Sequence, residues 1–300
     1  MNGYYTCSDL LSEEFRRREP RARLAVIGNP IAHSKSPQLQ QAALDAAGIP
    51  VSYIRVLAGE DEFETVVHRL RGLGFFGANV TVPFKKRAWA MAMRLDPLAE
   101  LSGSVNTFIF RGDEIEGANT DGPGFSTALR QEMNLTLHSR RIVLLGAGGG
   151  AGTSLACQCA LERCAGLVLV NRTLEKLDGL CAQLARHRPG AVSRLSSEDA
   201  AGVIRAAKKA ELLIQATSLG LREDDPLPLP QEALHPGLAV YDLVTHDTPL
   251  QRLARKRGLR VAGGEGMLLH QGIGAFRLWF PNREPDADAM AKALAAASES

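Results

Sequence analysis

From Arg23 onward, short β-branched runs alternate with longer amphipathic stretches, a rhythm that argues for strands and helices in turn and so for a parallel α/β sheet. In the first half the pattern predicts strands at Leu24–Gly28, Ser52–Leu57 and Gly77–Val80, and helices at Pro37–Ala47, Glu60–Arg71 and Phe84–Arg94. Two further strands, Val105–Phe110 and Glu114–Ala118, flank Arg111-Gly112-Asp113, whose Gly and Asp suit a hairpin turn. Asn119-Thr120-Asp121-Gly122-Pro123-Gly124 then interrupts the pattern before a helix from about Phe125 to Glu132, and a domain junction is expected there. The second half runs strand Arg141–Leu145, loop Gly146–Gly150, a helix from Ala151, strand Leu167–Val170, helix Thr173–Arg186, strands Leu212–Gln215 and Leu238–Leu243, and helix Thr248–Arg257. This is the order of a doubly wound nucleotide domain. Helices at Met267–Trp279 and Asp286–Ala297 end the chain, while residues 1–22, with Arg16-Arg17-Arg18 beside Glu19-Pro20, read as an extension, a solvated tail or short helix. The expected division is therefore 1–22, 23–121, 122–262 and 263–300, the last returning to the first domain.

Composition narrows the class. At 300 residues the chain is about two domains long, and 45% hydrophobic with 23% charged residues is ordinary for a globular protein. The balance of 35 Lys+Arg against 33 Asp+Glu gives no general field for nucleic acid. No apolar run approaches the roughly 18 residues that span a bilayer. Asp9, Glu13 and Glu14 stand where a signal peptide would be apolar, so a cytoplasmic location without a membrane partner is expected. The five cysteines form an odd set without a CxxC pair, and the 7 histidines are scattered, which argues for reduced structural thiols and no metal site.

The chemistry begins at the loop after Arg141–Leu145. Gly146, Gly148 and Ala151 take the G-x-G-x-x-A positions between a strand and a helix: Gly146 permits the tight turn, Gly148 admits a pyrophosphate to the backbone, and small Ala151 lets the helix pack close. The next strand ends in Asn171-Arg172-Thr173 rather than an acid for a ribose hydroxyl. Arg172 suits a 2′-phosphate, and Lys176, about one helical turn on, can add a second charge, so NADP is expected over NAD.

In the first half, His33-Ser34-Lys35-Ser36-Pro37 leads into a helix with Ser36 as N-cap and Pro37 in its first turn. Two hydroxyls at a helix N-terminus also make a site for a carboxylate. Lys85-Lys86-Arg87 in isolation is a solvated charge run, but it follows Asn79-Val80-Thr81-Val82-Pro83-Phe84. With Gly28–Pro37, Asn79–Lys85, Val105-Asn106-Thr107, Asn119–Gly122, Gly146–Gly149, Asn171-Arg172-Thr173, Ala216–Gly220 and Gly266–Gln271 in this order, the sequence resembles the shikimate dehydrogenase family, within the shikimate/quinate dehydrogenase superfamily, from Gly28 to about Trp279.

The resemblance implies a two-domain α/β enzyme, an N-terminal substrate domain joined to a Rossmann-type NADP domain, reducing 3-dehydroshikimate to shikimate reversibly in a cleft between them, as monomer or homodimer. It implies that Ser34 and Ser36 hold the substrate carboxylate, that Thr81, Asn106 and Gln271 bind hydroxyls, and that Lys85 and Asp121 form the catalytic pair. A desolvated Lys can be poised to take a hydroxyl proton, although a carboxylate beside it holds its pKa up, so which of the two moves the proton stays open. On the cofactor side it implies Gly146, Ala147, Gly148, Gly149, Gly150, Ala151, Asn171, Arg172, Thr173, Lys176, Thr217, Ser218 and Gly264.

The pattern departs from the family in places. Thr245 stands where a Tyr usually helps hold the carboxylate, in an apparently shortened stretch. Gln40-Gln41 replaces a typical His-Asn, Gln215 replaces an Asn before Ala-Thr-Ser, and Glu265 adds an acid. Quinate or an aminated analogue is therefore an alternative substrate, since such choices rest on a few polar contacts. A non-catalytic NADP-sensing protein is the alternative of another class, disfavoured by the presence of both Lys85 and Asp121. A glutamyl-tRNA reductase-like reading fails for want of a nucleophilic Cys in the N-terminal half apart from Cys7.

Overall fold

The computed structural model describes residues 3–187 and 190–298. Met1 and Asn2 of the expected extension thus lie outside the described residues. The chain divides into two compact units, Met1–Thr120 with Gln271–Ser300, and Asp121–His270.

The first unit holds a six-stranded sheet made of β1 (Ala22–Gly28), β2 (Ser52–Leu57), β3 (Gly77–Val80), β4 (Arg94–Leu95), β5 (Thr107–Arg111) and β6 (Glu114–Ala118), in the order β2-β1-β3-β5-β6-β4. β1 runs parallel to β2 and β3, and β5 runs antiparallel to β3 and β6. The expected hairpin between β5 and β6 forms, one residue tighter than expected: Arg111 pairs with Glu114, and Gly112, at φ 60, and Asp113 make the turn. β1 is buried at five consecutive positions, Leu24 to Gly28, because helices cover both of its faces and the run need not alternate. At Gly77, no β-carbon fits: it would lie 2.1 Å from the Phe108 carbonyl oxygen and 2.3 Å from Nε1 of Trp279, whose indole N–H donates to that carbonyl at 2.9 Å.

The N-terminal segment is not a solvated tail. Short helices at Cys7–Leu11 and Phe15–Arg18 press Cys7, Leu10 and Phe15 into the core with Val66, Leu70 and Leu73, and Tyr5 pairs with Val56 beside β2. Its apolar residues are spread too thinly among charges to show a period, so only docking against the helix Phe63–Gly72 reveals their purpose. Arg87 likewise leaves the expected charge run: its guanidinium pairs with Glu64 and lies 5.5 Å from the Phe63 ring centre. The same hydrogen bond holds the Glu64 carboxyl below its ordinary range.

The second unit is a six-stranded sheet of β7 (Arg141–Leu145), β8 (Gly166–Asn171), β9 (Val192–Ser196), β10 (Leu212–Gln215), β11 (Ala239–Asp242) and β12 (Arg260–Ala262), ordered β12-β11-β10-β7-β8-β9 with every neighbour parallel. The chain starts at the centre, winds outward through β8 and β9, and returns to β10, leaving a switch point beside β7. This is the Rossmann-type order, and it puts the ligand crevice at the C-terminal ends of β7 and β10.

Two predicted helix starts move. The helix expected from Phe125 begins at Asp121, because Gly122, Pro123 and Gly124 fall in the first turn, where amides need no helical partner. The helix expected to be capped by Ser36 runs Ser36–Ala46 with Lys35 at the cap position; Ser34 Oγ instead accepts the Ser36 amide at 3.3 Å. None of the five cysteines is in a disulfide; burial raises the Cys157 thiol to about 12 and pushes the Cys159 thiol well above its ordinary value. No helix among the described residues is long and apolar enough to cross a membrane.

Docking of the N-terminal segment makes a measurable claim. Leu10 is fully buried, so Leu10→Ala should cost about 2–5 kcal/mol in urea unfolding, as core truncations do. A solvated segment would register no change.

Candidate active site

In the first unit the C-terminal ends of the parallel strands converge. The Thr81 amide donates to Ile27 O and the Asn29 amide to Val82 O, both at 2.9 Å, which lays the loop after β3 across the loop after β1. The approach is so close that a β-carbon on Gly28 would sit 2.4 Å from Thr81 Cγ2. Both loops turn at cis prolines, Pro30 and Pro83. Behind Pro83, Phe84 folds back onto Thr81 O and Lys85 opens the helix Lys85–Met91. The Val105 amide donates to Lys85 O at 3.0 Å, fixing the Lys85 backbone next to Asn106.

Under these loops lies a buried polar network. Tyr53 donates its hydroxyl proton to Asn79 Oδ1 at 2.7 Å, and Asn79 Nδ2 donates to Thr107 Oγ1 at 3.0 Å. Asn106 Oδ1 accepts the Thr120 amide at 2.8 Å while its Nδ2 donates to Thr120 Oγ1 at 2.9 Å. Asn106 is therefore held at both ends of its amide, and the residue after Thr120 is Asp121. Gln271, 8% exposed, follows in the same unit, and Gly274 one turn later faces Thr120 at 3.3 Å from an added β-carbon. Ser34 is anchored through its carbonyl, which accepts two bonds from Arg55 at 3.0 and 2.6 Å. The first unit thus carries Ser34, Ser36, Thr81, Lys85 and Asn106 at strand ends and helix starts, and Gln271 within the helix Glu265–Trp279, with Asn79, Thr107 and Arg55 bracing the loops. Sequence reasoning gave Asn79 and Thr107 no role; an Asn amid the apolar run of a central strand was the available signal.

In the second unit, Gly146 at φ 78 turns directly out of β7, and a β-carbon there would lie 2.7 Å from the Ala216 backbone. Gly148 leaves room for the Asn171 side chain, which would lie 3.1 Å from an added β-carbon, and Gly149 caps the helix Gly150–Leu161. The close helix contact assigned to Ala151 belongs one residue later: a methyl on Gly152 would meet Gly146 O at 2.2 Å. Gln215 in place of Asn braces the neighbouring loop, accepting the Thr217 amide at 2.8 Å and donating to Leu219 O at 2.7 Å.

These loops enclose a cavity of about 390 Å³ lined by Gly146, Gly148, Gly149, Asn171, Arg172, Thr173, Lys176, Thr217 and Ser218. Leu145, Val170, Ser197, Ala216, Leu219 and Pro228 complete the lining; these six were not anticipated, and Ser197 follows β9, a half-exposed edge strand too weakly patterned to predict. Ala147, Gly150, Ala151 and Gly264 do not line it. Ala147 is fully buried, and Gly264 instead admits the Leu243 carbonyl, 2.0 Å from where a β-carbon would stand. The cavity presents two cations, Arg172 and Lys176, and no carboxylate. A glycine-lined helix start and a cationic, acid-free rim fit a dinucleotide with an extra phosphate. Thr245 is half-buried on the loop after β11, outside this cavity. Nearby, Asp242 accepts from Thr248 Oγ1 at 2.7 Å, and burial raises its carboxyl despite that bond. Among the described residues no group of His, Cys, Asp or Glu is placed to hold a metal.

Residues 26–108 match the model of the shikimate dehydrogenase substrate binding domain, and residues 264–295 that of the shikimate 5′-dehydrogenase C-terminal domain. The NADP(+) shikimate dehydrogenase of Rubrobacter xylanophilus is 40% identical over 275 residues, covering 90% of this chain and 94% of that one. The chain belongs to the shikimate dehydrogenase family. Among solved structures, the Thermus thermophilus shikimate 5-dehydrogenase in complex with NADP(H) and shikimate is 32% identical at a TM-score of 0.79, covering 92% of this chain and 99% of that one. The Listeria monocytogenes enzyme, in complex with shikimate and NAD, is 28% identical at 0.82, covering 91% and 96%.

The glycine assignment can be checked directly. Gly152→Ala places a methyl against the Gly146–Ala147 main chain, which cannot swing aside as a side chain could. NADP affinity by calorimetry should fall at least about tenfold, as a misplaced loop loses charge-assisted bonds to phosphate. Ala151→Gly, one residue earlier, should leave it unaltered.

Proposed function

We propose that this protein is an NADP-dependent shikimate dehydrogenase that interconverts 3-dehydroshikimate and shikimate in the cytoplasm, with these small molecules as its partners. The observation that supports the reading is the anchoring of Lys85: its carbonyl accepts the Val105 amide, which ties its main chain next to Asn106, where the buried Asn106–Thr120 network begins. Polar groups held in this way suit a polyhydroxylated acid.

Ser34 and Ser36, at the start of an 11-residue helix, would receive the carboxylate with the positive end of the helix behind them. Thr81, Asn106 and Gln271 would bind ring hydroxyls, and because Asn106 is already fixed at both ends it orients without reorganising. Lys85 and Asp121 are proposed as the pair that holds and moves the hydroxyl proton. Asp121 is one peptide beyond Thr120, whose amide Asn106 fixes, so its backbone starts from a rigid point. Gly146 to Ala151, Asn171 to Thr173, Lys176, Thr217, Ser218 and Gly264 are proposed for NADP, with Ala147, Gly150, Ala151 and Gly264 acting through the backbone path. When bound, NADP supplies the hydride acceptor for the carbinol carbon. Thr245 is proposed at the carboxylate end, where its hydroxyl is shorter than a phenol; this observation supports quinate or an aminated analogue as a second substrate.

Two measurements test the reading. With shikimate and NADP, the wild type should form NADPH, and Lys85→Ala should lose on the order of 10²–10⁴-fold in kcat while binding NADP normally. Equal turnover by the variant removes Lys85 from the mechanism. Arg172→Glu should raise the KM for NADP by roughly tenfold or more, through loss of a charge-assisted bond and added repulsion, while sparing NAD. Parallel loss with both nucleotides would contradict a 2′-phosphate role.

A further inference from the structure

Gln40 is fully buried in the helix Ser36–Ala46, and its amide is only half used. Nε2 donates to the Gly272 carbonyl at 2.9 Å, while Oε1 is buried with no hydrogen-bond partner. The orientation is determined, because reversing the amide would set two acceptors against each other. Gly272 lies inside the helix Glu265–Trp279, where a carbonyl accepts the amide four residues on. It does not need Gln40. A buried acceptor left unpaired is a net cost to folding, so stability gives no reason for an amide at this position.

Placement gives one. Gln40 stands four residues after Ser36, on the same helix face. Gly272 follows Gln271, and a β-carbon on it would lie 2.4 Å from Leu39 Cδ2 and 3.3 Å from Gln40 Nε2, so the two helices touch at this point. We propose that Gln40 is a positioning residue that, through its bond to Gly272, fixes Gln271 relative to the helix carrying Ser36, and so sets the spacing between the groups that take the substrate's hydroxyl and its carboxylate. The inference rests on the reading of Ser36 and Gln271 as substrate ligands. Gln40 itself touches no substrate; it removes freedom from a residue that does.

Gln40→Met keeps the volume and deletes both the bond and the orphan oxygen. The KM for shikimate should rise about three- to tenfold, the equivalent of one hydrogen bond, with the KM for NADP and the kcat unaltered and the Tm not lowered. Gln40→His, which keeps a ring N–H donor, should restore the KM. In a Gln271→Ala background, Gln40→Met should add nothing, since the residue it positions is gone. An unchanged KM in Gln40→Met alongside a raised one in Gln271→Ala overturns this inference alone. An unchanged KM in Gln271→Ala overturns the ligand reading and this inference with it. Affinity for both NADP and shikimate falling together with the Tm overturns it in favour of a purely structural role, and Gln40→Asn, which retains the amide without its reach, serves where the Met variant does not fold.

Discussion

Close approach of two strand-end loops with no room for a β-carbon between them is the constraint on which both halves depend. At Gly28 the loop leaving β1 lies against Thr81, and at Gly146 the loop leaving β7 lies against Ala216. Each contact joins the exit of a central strand to the exit of its neighbour, where a parallel sheet presents its ligand crevice. A side chain at either point would part the two loops, and every group they carry would move with them. Precision in the site thus comes from an absence of atoms at two positions, backed by parallel strands in register beneath.

Polar groups buried under those loops hold the geometry that the glycines permit. Asn106 satisfies both ends of its amide on Thr120, Asn79 links Tyr53 to Thr107, and Asn119 donates to Ser104 O. A buried network this densely hydrogen-bonded rigidifies, because each bonded partner loses more by leaving than it gains from water. The second unit uses Gln215 in the same way, bridging Thr217 and Leu219 from one strand-end amide. The extra methylene relative to the family's Asn is thereby accommodated, and the departure reads as a change of reach.

Motif order made the two units and most of the site legible. Strand–glycine–helix spacing located the nucleotide loop, and Asn171-Arg172-Thr173 located its cationic rim, because local backbone geometry dictates those residues. Tertiary docking was less visible. Tyr5, Cys7, Leu10 and Phe15 sit among charges with no period, yet they enter the core. Gly152 rather than Ala151 makes the close contact because the helix starts at Gly150, a boundary that spacing alone leaves uncertain by a residue or two. Pro123 read as a break, but prolines at a helix start fit as well as those beyond its end. β4, β9 and β12 are short edge strands with few apolar positions, and edges ask little of their side chains.

The thiols have a practical meaning. Cys157, Cys159 and Cys164 are buried in the nucleotide-binding unit and Cys7 is buried at the start of the first N-terminal helix, and burial disfavours the thiolate at Cys7, Cys157 and Cys159. Only a thiolate attacks disulfides or electrophiles at a useful rate. Burial raises the Cys181 thiol as well, but it is the one cysteine that is only half-buried, which makes it the natural anchor for a spectroscopic tag.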